Sequence, residues 1–198
     1  METELQSTHT AAALSYCSQE VIISMRDDMN FFAGVILPVE CTMEYPGWYT
    51  WWWTRVTQAF KSPRDFSKFA VGLPRGHAKT FVVKLLIVYA ILYTNKRYIL
   101  IIAATLKRAE NIIADVTRMM DSNNVQELFG NWRHQITVDR QDQKQFTFNG
   151  RVVTLEGVGQ GTAIRGANSG QARPDLMVFD DAQTAECAAS IVESENFH

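Results

Sequence analysis

Two short stretches hold the residue types that phosphate chemistry needs. The first is Gly72-Leu-Pro-Arg-Gly-His-Ala-Lys-Thr80, set between the apolar run Phe69-Ala-Val71 and a long apolar stretch over 81–93. The second lies far downstream, where Leu176-Met-Val-Phe179 runs into Asp180-Asp181. A strand, a glycine-bearing loop ending in Lys-Thr and then a helix is the context in which backbone N–H groups and a helix N-terminus receive phosphate oxygens. In that arrangement Pro74, Arg75, Gly76, His77, Ala78, Lys79 and Thr80 cradle the anion. Lys79 reaches the outer phosphates and the Thr80 hydroxyl ligates Mg²⁺. The second stretch delivers two carboxylates to the carboxyl end of a strand, the edge at which open parallel sheets hold ligands. Asp180 is therefore expected to share the metal with Thr80, and Asp181 to orient an attacking water.

Each half alone is weak. The loop lacks the glycines of the G-x-x-x-x-G-K-[ST] pattern, with Leu73 and Ala78 in their places, so an ordinary turn is the competing reading. A backbone held at positive φ at position 78 would cost an alanine about 1–3 kcal/mol. Two carboxylates at the end of a buried strand are also costly without a cation, by several kcal/mol. A metal-bound phosphate between the two stretches answers both difficulties.

The elements that must bring them together read as alternating strands and helices. After a polar segment over 1–10, Leu14, Cys17, Val21, Ile22 and Met25 recur at helical spacing. A second apolar stretch, Phe31 to Leu37, ends at Pro38, and Tyr45-Pro-Gly47 is a turn before a helix over 48–60. That helix carries Trp48, Trp51, Trp52 and Trp53, either as a stacking platform for an adenine or DNA base or, more simply, as packing. Residues 66–73 bring in a first strand, 80–93 form a helix apolar nearly all round, and 98–103 form a strand buried on both faces. A second helix runs from about Ala104 to Met120, a short helical piece spans 125–129, and Asn149-Gly150 joins a hairpin over 145–155. A glycine-rich loop over 157–166 is read as functional, and 182–197 as helical.

Composition sets broad limits. The chain has 198 residues, 46% apolar and 20% charged, within the range for one core and outside that of disorder. A net charge of -2 makes no global case for nucleic-acid binding, so any such surface must be local. Cys17, Cys41 and Cys187 lie far apart, which predicts free thiols of a reducing compartment rather than a disulfide frame or a zinc site. With an acidic opening and no apolar run of about 20 residues, the reading is a soluble intracellular protein with no membrane contact.

Taken together, the loop Pro74-Arg-Gly-His-Ala-Lys-Thr80, the segment Ile101-Ile-Ala-Ala-Thr105 and the late block Gly161-Thr-Ala-Ile-Arg-Gly166 … Arg173-Pro-Asp-Leu176 … Asp180-Asp181 resemble one family. They are similar to the N-terminal ATPase domain of the large terminase subunit of tailed bacteriophages, the DNA-packaging motor, over residues 30–197 or so. The late block is the most specific part. The resemblance implies an α/β fold of the P-loop NTPase class (RecA/ASCE-like), with a mainly parallel sheet flanked by helices and a β-hairpin insertion. A helical extension over 1–65 would precede the ATPase core over 66–198. It implies ATP and Mg²⁺ as ligands and hydrolysis as the activity, with Arg75, Lys79 and Asp181 catalytic and Thr80 and Asp180 on the metal. Double-stranded DNA, a portal protein, the small terminase subunit and a homo-oligomeric ring are the implied partners, in the host cytoplasm at the procapsid portal. Arg165 is expected on phosphate, on a neighbouring subunit or pinning its own loop.

The chain departs from that pattern at Ala78, at Asp181 where Glu is commoner, and in lacking a glutamine motif for adenine ahead of the loop. Nothing after Asp181 reads as the family's coupling strand or its nuclease domain, and the expectation is a fragment. Two other readings stand beside the motor: another ASCE-type ATPase such as a helicase core, and a nucleotide-binding assembly module without turnover.

Overall fold

The computed structural model describes residues 18–62, 67–72, 74, 76–160 and 173–181. Arg75, Arg165 and the segment 182–197, to which roles or structure were assigned above, lie outside them. The chain divides into two compact units, Met1–Phe69 with Asp121–Gly130, and Ala70–Met120 with Asn131–His198.

In the first unit, residues 18–27 are helical (α1), followed by α2 (Met29–Ile36), α3 (Gly47–Lys61) and α6 (Asn123–Phe129). Asp28 starts α2 by accepting the N–H groups of Asn30 and Phe31 at 2.7 and 3.1 Å, which satisfies two donors the first turn leaves over. Trp53 is buried against Phe32, with ring centroids 5.5 Å apart, whereas Trp51 is 63% exposed with the Arg55 guanidinium over its ring. The tryptophan run therefore splits between packing and surface.

The second unit is built on a sheet of order β2-β3-β4-β1-β5. Its strands are β1 (Tyr98–Ala103), β2 (Ile136–Asp139), β3 (Gln143–Phe148), β4 (Arg151–Gly159) and β5 (Leu176–Asp180), with α4 (Lys79–Tyr93) and α5 (Leu106–Met120) packed on it. The architecture is α/β, but the sheet is mixed rather than mainly parallel. β4–β1 and β1–β5 are parallel, while β2–β3 and β3–β4 are antiparallel. The cause is local. Asn149 and Gly150 both take positive φ, 49° and 73°, and close the two-residue turn expected of Asn-Gly. The hairpin they make is no insertion, because β4 is the direct neighbour of β1. Ile136-Thr-Val-Asp139, a strand not expected from the sequence, then adds an antiparallel edge.

β1 is buried along its whole length and α4 buries Val82 and all of 85–92, as continuous apolar runs require. At about 1.5–3 kcal/mol per fully buried aliphatic side chain, these two segments carry a large part of the core energy. α5 is amphipathic, with Ala109, Ile112, Ile113, Val116, Met119 and Met120 buried at helical spacing. Two glycines let it approach the sheet. A Cβ at Gly157 would lie 2.9 Å from the Ala109 Cβ, and one at Gly159 would lie 2.7 Å from the Leu106 backbone nitrogen. The glycine-rich loop predicted from 157 onward thus begins later, since Gly157 and Gly159 are strand residues that admit a helix.

One expected element is absent. Residues 67–72, read as the strand leading into the phosphate loop, have no regular secondary structure, and Phe69 and Val71 remain exposed. Both edges of β1 are already taken, by β4 and β5. A run of three apolar residues finds no ladder partner among the described residues.

Candidate functional site

The structure brings the first turn of α4 to the carboxyl end of β5. Thr80 Oγ1 lies 3.1 Å from both Asp180 Oδ1 and Asp180 Oδ2, and donates to that carboxylate across 100 positions of sequence. This juxtaposition was expected from the residue types alone, and it arises because β5 runs parallel to β1 with Ala103 opposite Asp180.

The register of β5 is held at its other end by Asp175. Its carboxylate accepts the backbone N–H of Arg97 at 2.7 Å and of Tyr98 at 3.2 Å, and its own N–H donates to the Tyr98 carbonyl at 3.0 Å. In the sequence Asp175 stands out only as part of the Arg173-Pro-Asp-Leu176 block. Its work here is to align β5 with β1, which places Asp180 at the sheet edge five residues on.

The loop side holds two residues at positive φ. Gly76 has φ 84°, and Ala78, at the N-cap of α4, sits in the left-handed region at φ 50°, ψ 25°. Ala78 offers no side-chain cap at the start of this 15-residue helix. Pro74, Gly76, His77 and Ala78 are exposed and Lys79 is half-buried at the first helical position. Arg75 lies outside the described residues, so the structure describes six of the seven loop positions.

Asp180 is half-buried. Burial pushes its carboxyl above the ordinary carboxylate range, the Thr80 hydrogen bond acts against that, the neighbouring Asp181 adds to it, and the charges of Lys84 and Arg108 oppose it. Neither cation was singled out from the sequence. Lys84 lies one turn beyond Thr80 on α4 and is held by Asp115 of α5 at 2.5 Å, while Asp115 also receives Arg118 at 3.0 Å. Asp181 is exposed and takes φ 44°, so the chain turns sharply after Asp180.

These groups fit Mg²⁺. Thr80 and Asp180 offer hard oxygens close enough to share one cation, and a carboxylate desolvated by burial gains from it. Among the described residues no three His, Cys, Asp or Glu side chains gather to hold a metal, so the remaining ligands would be water and phosphate oxygens, as Mg²⁺ prefers.

Two cavities lie elsewhere. One of about 460 Å³ sits between the C-terminal end of α4 and the Asn149–Gly150 turn, beside Arg97 and Arg151. Arg151 donates to the Ile91 carbonyl there and caps α4, so this cavity marks a helix end. The other, of about 370 Å³, lies along the Trp51–Arg55 face of α3.

No protein-family model, curated protein or solved structure matches the chain. No described helix is long and apolar enough to cross a membrane.

Proposed function

We propose that the chain is the ATP-hydrolysing motor domain of a viral terminase large subunit, which drives double-stranded DNA into a procapsid. The observation that carries the ATPase reading is the Thr80–Asp180 contact, because a hydroxyl after a phosphate-loop lysine and a strand-end carboxylate have a shared purpose in binding Mg²⁺-nucleotide. The motor assignment adds the resemblance of the Pro74–Thr80 loop and the Ile164-Arg-Gly … Arg173-Pro-Asp-Leu block to packaging terminases.

In this reading the first N–H groups of α4 and the Lys79 ammonium hold the outer phosphates, with Arg75 adding charge as the outer phosphate becomes more negative. Thr80 and Asp180 would hold Mg²⁺, which would screen the phosphate charge. Asp181 accepts a hydrogen bond from the attacking water and takes its proton as the oxygen approaches the γ-phosphorus. Portal protein, small subunit and a homo-oligomeric ring in the host cytoplasm follow as proposals from the resemblance alone.

Phosphate release with Mg-ATP, with and without double-stranded DNA, tests this. Asp181→Asn should bind Mg-ATP as the wild type does and release phosphate roughly a hundredfold more slowly. Turnover unchanged in that variant would remove Asp181 from the mechanism. A second reading, a nucleotide-binding assembly module without turnover, is favoured by the lack of a strand over 67–72. Tight Mg-ATP binding with no phosphate release by the wild type would select it.

A further inference from the structure

We propose that Arg108 recognises the γ-phosphate, and so separates ATP from ADP, at the site formed by Thr80 and Asp180; the inference rests on the nucleotide reading above. Ala103, the last residue of β1, lies opposite Asp180, and β1 passes through Ala104-Thr105 straight into α5. Thr105 starts that helix, with its Oγ1 accepting the Arg108 N–H at 3.3 Å and its carbonyl accepting Arg108 N–H at 3.1 Å and Ala109 N–H at 3.2 Å. Gly159 holds the turn close, since any side chain there would meet the Leu106 nitrogen. Arg108 is thereby fixed in the first turn of a helix that opens on the same sheet edge as Asp180.

The charges facing Asp180 come from three elements. β5 supplies Asp181, α4 supplies Thr80 and Lys84, and α5 supplies Arg108. Of the two cations, Lys84 is committed to Asp115 at 2.5 Å. Arg108 is exposed, and its guanidinium makes no hydrogen bond or ion pair among the described residues. Its neighbour Lys107, by contrast, is paired with Glu110 at 3.2 Å. Because α5 begins three residues after Ala103, the partner of Asp180 in the sheet, Arg108 stands at the same edge as a phosphate held there. Of the phosphates a metal on Asp180 would hold, the γ-phosphate is the one ADP lacks. Arg suits the task, because its planar fork pairs two phosphate oxygens at once.

The test is calorimetric titration of the full chain with Mg-ATPγS and with Mg-ADP, for wild type, Arg108→Ala, Arg108→Lys, Lys107→Ala and Lys79→Ala. The expected result is that Arg108→Ala weakens Mg-ATPγS by roughly tenfold and leaves Mg-ADP unchanged, as loss of one charge-assisted contact predicts. Arg108→Lys should recover part of the preference, and Lys107→Ala should match the wild type. If Lys79→Ala loses both nucleotides while Arg108→Ala keeps the wild-type preference, the role of Arg108 is overturned and the nucleotide site stands. An equal effect of Lys107→Ala and Arg108→Ala would mean that general surface charge is at work, and would overturn it as well. If the wild type binds neither nucleotide, the site reading fails and takes this inference with it.

Discussion

Thr80 and Asp180 share a hydrogen-bonded contact, the hydroxyl 3.1 Å from each carboxylate oxygen, although 100 positions separate them. A half-buried carboxylate with one hydroxyl donor is an uneasy group in the absence of a cation. Burial raises its proton affinity above the unfolded value. For an acid raised in this way, the folded state holds a proton that the unfolded chain has already released, so stability falls as pH climbs from the unfolded pKa through the folded one. Above that window the loss persists. Asp180→Asn should therefore stabilise the metal-free protein at neutral pH, with the gain vanishing below the ordinary carboxylate range. Mg²⁺ should stabilise only the wild type. Denaturant titrations across pH, with and without Mg²⁺, check both signs.

Ala78 at φ 50° is the strained point of the loop. An L-residue there costs about 1–2 kcal/mol, and glycine returns about 0.4–1 kcal/mol of that through the greater entropy of its unfolded chain. Ala78→Gly is expected to stabilise the fold by about 0.5–1 kcal/mol and to preserve nucleotide affinity. Destabilisation on urea unfolding would show that the left-handed geometry is not what the alanine endures.

Asp175 is predicted to be structural. Asp175→Ala leaves the N–H groups of Arg97 and Tyr98 without the carboxylate that accepts them, at a cost of about 1–3 kcal/mol. Amide exchange at those two positions should accelerate. Unchanged exchange would mean the β1–β5 register is set by other contacts.

Gly159→Ala drives a Cβ to 2.7 Å from the Leu106 nitrogen, a backbone atom with no rotamer to escape into. Overpacking of that kind typically costs about 1–3 kcal/mol. Thermal unfolding should fall accordingly, and a neutral result would show that α5 can back away from β4.

Much of this was legible in the chain. Tyr98–Ala103 announced a buried strand by its unbroken β-branched run, Asn149-Gly150 announced its turn, and Lys79–Tyr93 its buried helix. The meeting of Thr80 with Asp180 followed from residue types, since both belong at the carboxyl edge of a sheet. What local pattern does not encode is which strands become neighbours. Val152–Leu155 reads as half of a hairpin, yet its parallel partner β1 turned a hairpin insertion into a central strand and a parallel sheet into a mixed one. Phe69-Ala-Val71 has strand composition, but both places beside β1 are taken by β4 and β5. Gly157 and Gly159 look like loop residues because spacing cannot show a helix resting on them. Lys84 and Arg108 were invisible for the same reason, because their relation to Asp180 exists only in three dimensions.

The most direct measurement is the affinity of the full chain for Mg-ATP, taken side by side with Lys79→Ala. The account predicts saturable binding by the wild type and a loss of at least about tenfold in the variant, the size of one charge-assisted phosphate contact. Binding of equal strength in both proteins would contradict the assignment of Gly72–Thr80 as the phosphate loop, and with it the site.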